Sequence, residues 1–250
     1  MKADLVVKNG LIVTPESTTP GGVAILDGKI VAVGANEALP DAKEVMDVGG
    51  RHILPGLIDA HVHFRDPGMT HKEDFGTGST AAVCGGITTV LDMPNVIPPT
   101  ENAQRVREKK AIAESKALCD FGLYGVVYQT NADDVIPMAE AGVIGYKIFF
   151  GETVGNLPYP DDGMCFEVFQ NITKSGLRLA VHAENRPIQH YWTNKMKEEG
   201  KSDPIYWEQT RPALCEAEAI NHLIFLAQNF NTKLHVVHTA TKQGASMIRG

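Results

Sequence analysis

From Leu57 onward the chain alternates short runs of apolar and β-branched residues with longer stretches of helical character. This alternation constrains the fold more than any other feature. Strands separated by helix-length segments cannot close as hairpins, so they pair in parallel and lie covered on both faces. The expected strands are 57–63, 88–93, 121–127, 144–150, 178–183 and 233–239, with helices near 72–84, 101–117, 131–141, 163–175, 186–199 and 214–230. Asn131 and Asp133 are candidate N-caps, and Gly142 and Gly176 candidate stops. A (β/α)8 TIM-type barrel has eight βα units and about 250 residues of its own. The pattern shows about six units, and a further helix starts near Lys242, just before Gly250. The expectation is therefore an α/β chain of TIM-barrel type that is incomplete at its C-terminus. An open doubly wound sheet is the alternative, but no G-x-G-x-x-G follows the first strand.

Before this pattern, three β-like runs occupy Leu5–Val13, Val23–Val33 and Val45–Leu54. Asn9-Gly10 and Asp27-Gly28 interrupt them with the strongest short hairpin signal. They predict a small antiparallel sheet, a β-sandwich portion over 1–54, ahead of a barrel portion over 55–250. A hydrophobic content of 43% suffices for a core of that size. A net charge of −7 without a basic run argues against nucleic acid or an anionic membrane as partner. No apolar stretch approaches the ~20 residues of a membrane span, and no signal peptide is visible, so a cytoplasmic location is expected. Cys84, Cys119, Cys165 and Cys215 form no C-x-x-C pair and are expected to be reduced, mostly buried thiols.

Polar groups recur at the C-terminal ends of the expected strands, where parallel barrels gather their chemistry. On the first, Leu57, Asp59, His61 and His63 share one face and Ile58, Ala60 and Val62 the other. Flanking Pro55-Gly56 and Pro67-Gly68 indicate a buried strand, and two imidazoles on one buried face suit a metal ion. Lys147, His182 and His238 end later strands amid apolar neighbours. Burial disfavours a charged lysine; as a neutral amine, Lys147 could take up CO2 and become an anionic carbamate able to bridge two metals. His235 has the opposite parity to His238 and is set aside. His52, His71, His190 and His222 fall in expected loops or helices.

The order H-x-H, lysine, histidine, histidine resembles the amidohydrolase superfamily, and within it the cyclic amidohydrolases: dihydroorotase, hydantoinase/dihydropyrimidinase and allantoinase. The resemblance runs through Leu54-Pro55-Gly56-Leu57-Ile58-Asp59, His61-Val62-His63-Phe64-Arg65-Asp66-Pro67-Gly68, Gly85-Gly86-Ile87-Thr88-Thr89 and Met93-Pro94-Asn95, and covers almost the whole chain. It implies a binuclear site, zinc by default, in which His61 and His63 bind one ion, His182 and His238 the other, and carboxylated Lys147 bridges both. A metal-bridging hydroxide would then attack a cyclic amide or ureide C–N bond. The family's acid/base aspartate follows a later strand, and no segment here corresponds to it. It is expected beyond Gly250, and these residues alone are expected not to turn over substrate. The family also implies a small-molecule substrate and a homo-oligomer, a dimer or tetramer.

Arg65 and Asn95 match dihydroorotase positions that hold a substrate carboxylate, a task suited to the planar guanidinium fork. Hydantoinases usually carry a tyrosine five residues after the lysine, where this chain has Glu152, and allantoinases tend to read M-P-L-N where it has Met93-Pro94-Asn95. The stretch from Tyr206 through Arg211-Pro212 to Glu216 instead resembles the R-P-x-x-x-E segment of hydantoinases and allantoinases. Asp161-Asp162-Gly163 resembles a signature of other dihydroorotases, but it falls in an expected loop and Lys147 at a strand end. The expected activity is dihydroorotase-like, with hydantoinase/dihydropyrimidinase or allantoinase activity as the alternative. A non-catalytic scaffold of the same family is the alternative from another class.

Overall fold

The computed structural model describes residues 2–154, 157–158 and 160–250. Its contacts divide the chain into two units, Met1–Leu57 and Ile58–Gly250. In the first, β1 (Ala3–Val13), β2 (Thr18–Leu26), β3 (Lys29–Gly34), β4 (Ala42–Asp47) and β5 (His52–Ile53) form one sheet in the order β3-β2-β1-β4, with β5 also on β1. Asp27-Gly28 makes the expected hairpin, with φ of 50° and 72° that suit the twist of the flanking strands. Asn9-Gly10 does not turn the chain. The strand continues through it, with Asn9 at φ 59° and the register shifted between Val7 and Gly10, so the left-handed residue serves a bulge. Asn9 is held there by side-chain bonds to Asp47 (2.6 Å) and Asn36 (2.9 Å). The sheet is mixed rather than antiparallel, because β4 and β5 both run parallel to β1. Ala3, Val6 and Ala24 form its core.

Around Ile58–Gly250 the order is β6 (Leu57–Val62), α1 (Phe75–Cys84), β7 (Ile87–Asp92), α2 (Ala103–Lys116), β8 (Asp120–Val126), α3 (Val135–Glu140), β9 (Gly145–Phe150), α4 (Asp162–Ser175), β10 (Arg178–Ala183), α5 (Arg186–Glu198), α6 (Ala213–Phe230), β11 (Lys233–Val236) and α7 (Lys242–Arg249). Asp74, Asn102, Asp161, Asn185 and Thr241 each accept a backbone N–H at a helix start. Gly176 ends α4 at φ 74°. Asn131 is no helix cap: buried, it accepts from the Tyr128 N–H and donates to the Glu101 and Val126 carbonyls, bracing the loop before α3. Asp161 and Asp162 open α4 rather than lying in a loop. Of the cysteines, Cys165 and Cys215 are buried, Cys119 is half-buried and Cys84 is exposed, so the expectation of mostly buried thiols holds for half of them.

Among the described residues this unit carries a six-stranded sheet in the order β11-β10-β9-β8-β7-β6. Each strand neighbours its predecessor and the order never reverses. A doubly wound sheet has such a reversal, so the arrangement is that of a barrel wall. The sheet is also strongly curled. A flat sheet would hold its first and sixth strands about 24 Å apart at the usual spacing, yet the rings of His61 on β6 and His238 just beyond β11 lie 5.3 Å apart. Among the described residues β6 is at the edge of this sheet, and its Leu57 and Ile58 are 49% and 66% exposed. On β9 the faces divide cleanly: Tyr146, Ile148 and Phe150 join the core packed by the helices, while Lys147 and Phe149 face the other way.

Candidate metal centre

The concave ends of β6, β9, β10 and β11 bring the five expected residues together. His61 Nε2 lies 3.3 Å from His63 Nε2, and His182 Nδ1 lies 3.3 Å from His238 Nε2. The two pairs are joined through His61 and His238. His63 follows the last residue of β6, and its ring still reaches that of His61. His238 arrives by a route that strand parity does not predict. His235 registers with Ala180, and Val237 packs with Ala180 and Tyr124, so both point to the face that Lys147 occupies. β11 stops at Val236, and His238 takes φ 36°; this left-handed turn redirects its ring.

Lys147 registers between Val126 and Ala180, is fully buried, and its Nζ has no hydrogen-bond partner among the described residues. Its Nζ lies 4.9 Å from the centroid of the Phe149 ring. Burial lowers the ammonium to about 7, so much of it is a neutral amine at neutral pH. Burial, reinforced by the positive charge of Lys147, takes His61 down to about 3, and burial with Arg65 takes His63 to about 4. His238 is lowered for the same reasons as His61. These rings are neutral imidazoles, the form that binds metal.

An ionised Glu184 completes the second pair. Although burial raises it, bonds from His182 and Arg211 hold its carboxyl down to about 2. Its Oε2 accepts from His182 Nε2 at 2.6 Å and from Arg211 Nη1 at 2.5 Å. A carboxylate can only accept, so His182 carries its proton on Nε2 and turns the lone pair of Nδ1 towards His238. Sequence reasoning passed over Glu184. Its signal was its place two residues after His182, on the same side of an extended chain. Asp59 bonds the backbone N–H of His61 at 3.1 Å rather than an imidazole.

Arg65 and Asn95 adjoin the first pair. Arg65, at φ 59°, donates from Nη1 to the Asn95 carbonyl at 3.2 Å. Asn95 is 2% exposed; its amide donates to Thr153 at 3.3 Å and sits against His63. Asp66, the acid beside Arg65, pairs with Lys116 instead. Beneath this turn an ion pair escaped the sequence reading: Asp92 and Lys109 meet at 2.5 Å with side chains 0% and 2% exposed, and Asp92 Oδ1 accepts the Phe64 N–H. Asp161 and Asp162 stand apart with Phe150 and His222 in a cavity of about 350 Å³.

Among the described residues no three His, Cys, Asp or Glu side chains form a metal cage. The imidazoles come instead as two facing pairs, each two ligands short of a four-coordinate site, with a buried amine beside them that has no hydrogen-bond partner among the described residues. A divalent ion per pair and an anionic group on Lys147 would supply part of what both lack. The donor set therefore fits two metal ions.

The sequence profile of the Amidohydrolase family matches residues 52–226. An allantoinase of Deinococcus radiodurans is 36% identical, covering 96% of this chain and 54% of its own length. An L-hydantoinase of Paenarthrobacter aurescens is 33% identical, covering 98% and 54%. The solved structure of an L-hydantoinase (dihydropyrimidinase) from Arthrobacter aurescens superimposes with a TM-score of 0.94 at 32% identity, over 98% of this chain and 55% of that one. The chain spans about half the length of the curated relatives it matches.

Proposed function

Because this chain belongs to the amidohydrolase family, we propose that it carries the metal-binding half of a hydrolase that opens a cyclic ureide or amide ring at a C–N bond. The family generally uses divalent metals, and its fold is the TIM-type α/β fold. The observation that carries the proposal is the meeting of four imidazoles beside the buried Lys147, whose Nζ has no hydrogen-bond partner among the described residues. In this reading residues 55–250 supply part of the barrel and residues 1–54 part of a β-sandwich. His61 and His63 would hold one ion, zinc by preference, and His182 and His238 the other. The Lys147 amine would add to CO2, forming an N–C bond and releasing a proton, and the resulting carbamate would bridge the ions. Bound there, divalent metals would polarise the scissile carbonyl and activate water. Glu184 keeps His182 in the tautomer that presents Nδ1, and burial keeps His61 and His63 unprotonated.

The relatives are named allantoinase and hydantoinase, which favours a cyclic ureide substrate over the dihydroorotate expected from Arg65 and Asn95. Dihydroorotase activity is a second reading. It rests on the Arg65 guanidinium beside the first pair, a group that matches a carboxylate bidentately. Against it, the Asn95 amide nitrogen already donates to Thr153 at 3.3 Å. The full-length protein, purified with zinc and bicarbonate, should contain about two metal equivalents and hydrolyse allantoin, a hydantoin or dihydrouracil faster than dihydroorotate. A preference for dihydroorotate would establish the second reading. A metal-free, inert protein would favour the scaffold.

A further inference from the structure

The segment Arg211-Pro212-Ala213-Leu214-Cys215-Glu216 stands out in the sequence, yet none of its side chains reaches the imidazoles. It leads into α6, which begins at Ala213. Its two charged ends face different neighbours. Arg211, its guanidinium 4.3 Å from the Trp207 ring centroid, donates to Glu184, which fixes His182. Glu216, one turn into α6, accepts the N–H of Ala240 through Oε1 (2.9 Å) and that of Thr241 through Oε2 (2.8 Å), with the Thr241 hydroxyl also on Oε2 (2.5 Å). These groups begin two residues after His238, whose left-handed backbone follows the bond from the Val237 N–H to the Val181 carbonyl (3.1 Å). Between the two ends Cys215 fastens the segment to the residue after Glu184. Its carbonyl accepts the Asn185 N–H at 2.9 Å and its Sγ donates to the Asn185 carbonyl at 3.1 Å.

We propose that Arg211–Glu216 is a clamp that sets the distance and tautomer of the His182–His238 pair, with Arg211 and Glu216 as positioning residues for the second metal. The inference rests on the two-metal reading above. The first pair has no direct connection to this segment: His63 and Arg65 are held by the turn over Asp92 and Lys109. The clamp therefore acts directly on one metal position and reaches the other only through the His61–His238 contact and Lys147. The physical need is plain. A strand end in the left-handed region is free to rotate its side chain away, and a carboxylate taking two consecutive N–H groups fixes that backbone.

The test loads the full-length protein with cadmium-113, whose NMR resonances report each ion separately; a His182→Ala variant identifies the second site's signal. Glu216→Gln, which keeps the shape but replaces one acceptor oxygen by a donor, should shift or broaden that signal clearly more than the first site's. It should also speed removal of that ion by EDTA at least tenfold. Arg211→Met should do the same, with Arg211→Lys restoring part of the effect. In metal-free protein, long-range 1H–15N spectra should show His182 protonated on Nε2 in the wild type and a tautomer mixture in Arg211→Met. Glu216→Asp, which draws the carboxylate back by one methylene and leaves the Thr241 cap of α7 in place, serves if Glu216→Gln does not fold, with a smaller shift of the same signal. The proposal is overturned if both signals keep their wild-type positions and release rates, or if both move equally, as general loosening would cause. Should the wild type bind no cadmium, the two-metal reading fails, while an unchanged His182 tautomer in Arg211→Met would separately overturn the clamp.

Discussion

Replacing Lys109 by Met should destabilise the second unit by about 3–5 kcal/mol at pH 8, the usual cost of leaving one partner of a buried ion pair alone. The terms are visible in the structure. Lys109 and Asp92 are almost wholly enclosed at 2.5 Å, and Lys109 also donates to the Met93 carbonyl at 2.9 Å. Methionine fills nearly the same volume without a cavity, so the loss is electrostatic. Burial already pushes the Asp92 carboxyl above its ordinary range, and Lys109 pulls it back. Without Lys109 the carboxyl moves further up. A carboxyl whose folded pKa is raised favours the protonated state, so its contribution is intact below the unfolded pKa and is lost as pH rises through the folded one. The variant should therefore be nearly as stable as the wild type around pH 4 and fall behind as pH increases. Urea unfolding at several pH values, with an unchanged m-value, measures this directly. At neutral pH the melting temperature should fall by about 6–20 °C. Because Asp92 holds the Phe64 N–H beside His63, metal retention at the first pair should weaken as well. A loss below ~1 kcal/mol at pH 8, or a pH-independent one, would refute the argument.

Three further outcomes follow from single positions. Lys147→Met removes an unpartnered buried amine and should leave the fold equally or more stable, by up to ~3 kcal/mol, while abolishing metal binding; urea titration and elemental analysis check both. Gly68→Ala should cost more than ~2 kcal/mol, since the residue sits at φ 86° and a Cβ would collide with the Ile97 carbonyl; the melting curve reports it. Gly28→Ala, at φ 72° in open space, should cost only about 1 kcal/mol and leave metal content unchanged.

How much of this could be read from sequence depends on how far apart the interacting residues lie. Period and spacing determined the βα alternation, with Arg178–Ala183 matched to the residue and the other strands and helices to within a few positions. Local chemistry also marked His61, His63, Lys147, His182 and His238, because each is a polar group set in an apolar run. What the sequence could not determine was anything decided by a residue's neighbours rather than its own run. Asn9-Gly10 and Asp27-Gly28 carry the same turn signal, yet Asp47 and Asn36 hold the first as a bulge while the second turns. Parity set His235 against His238, and one left-handed residue past the end of β11 reversed the comparison. The Asp92–Lys109 pair and the Glu184–Arg211 bond join residues far apart along the chain. A sequence displays its composition and period locally, whereas curling the sheet, which brings His61 within 5.3 Å of His238, depends on all six strands at once.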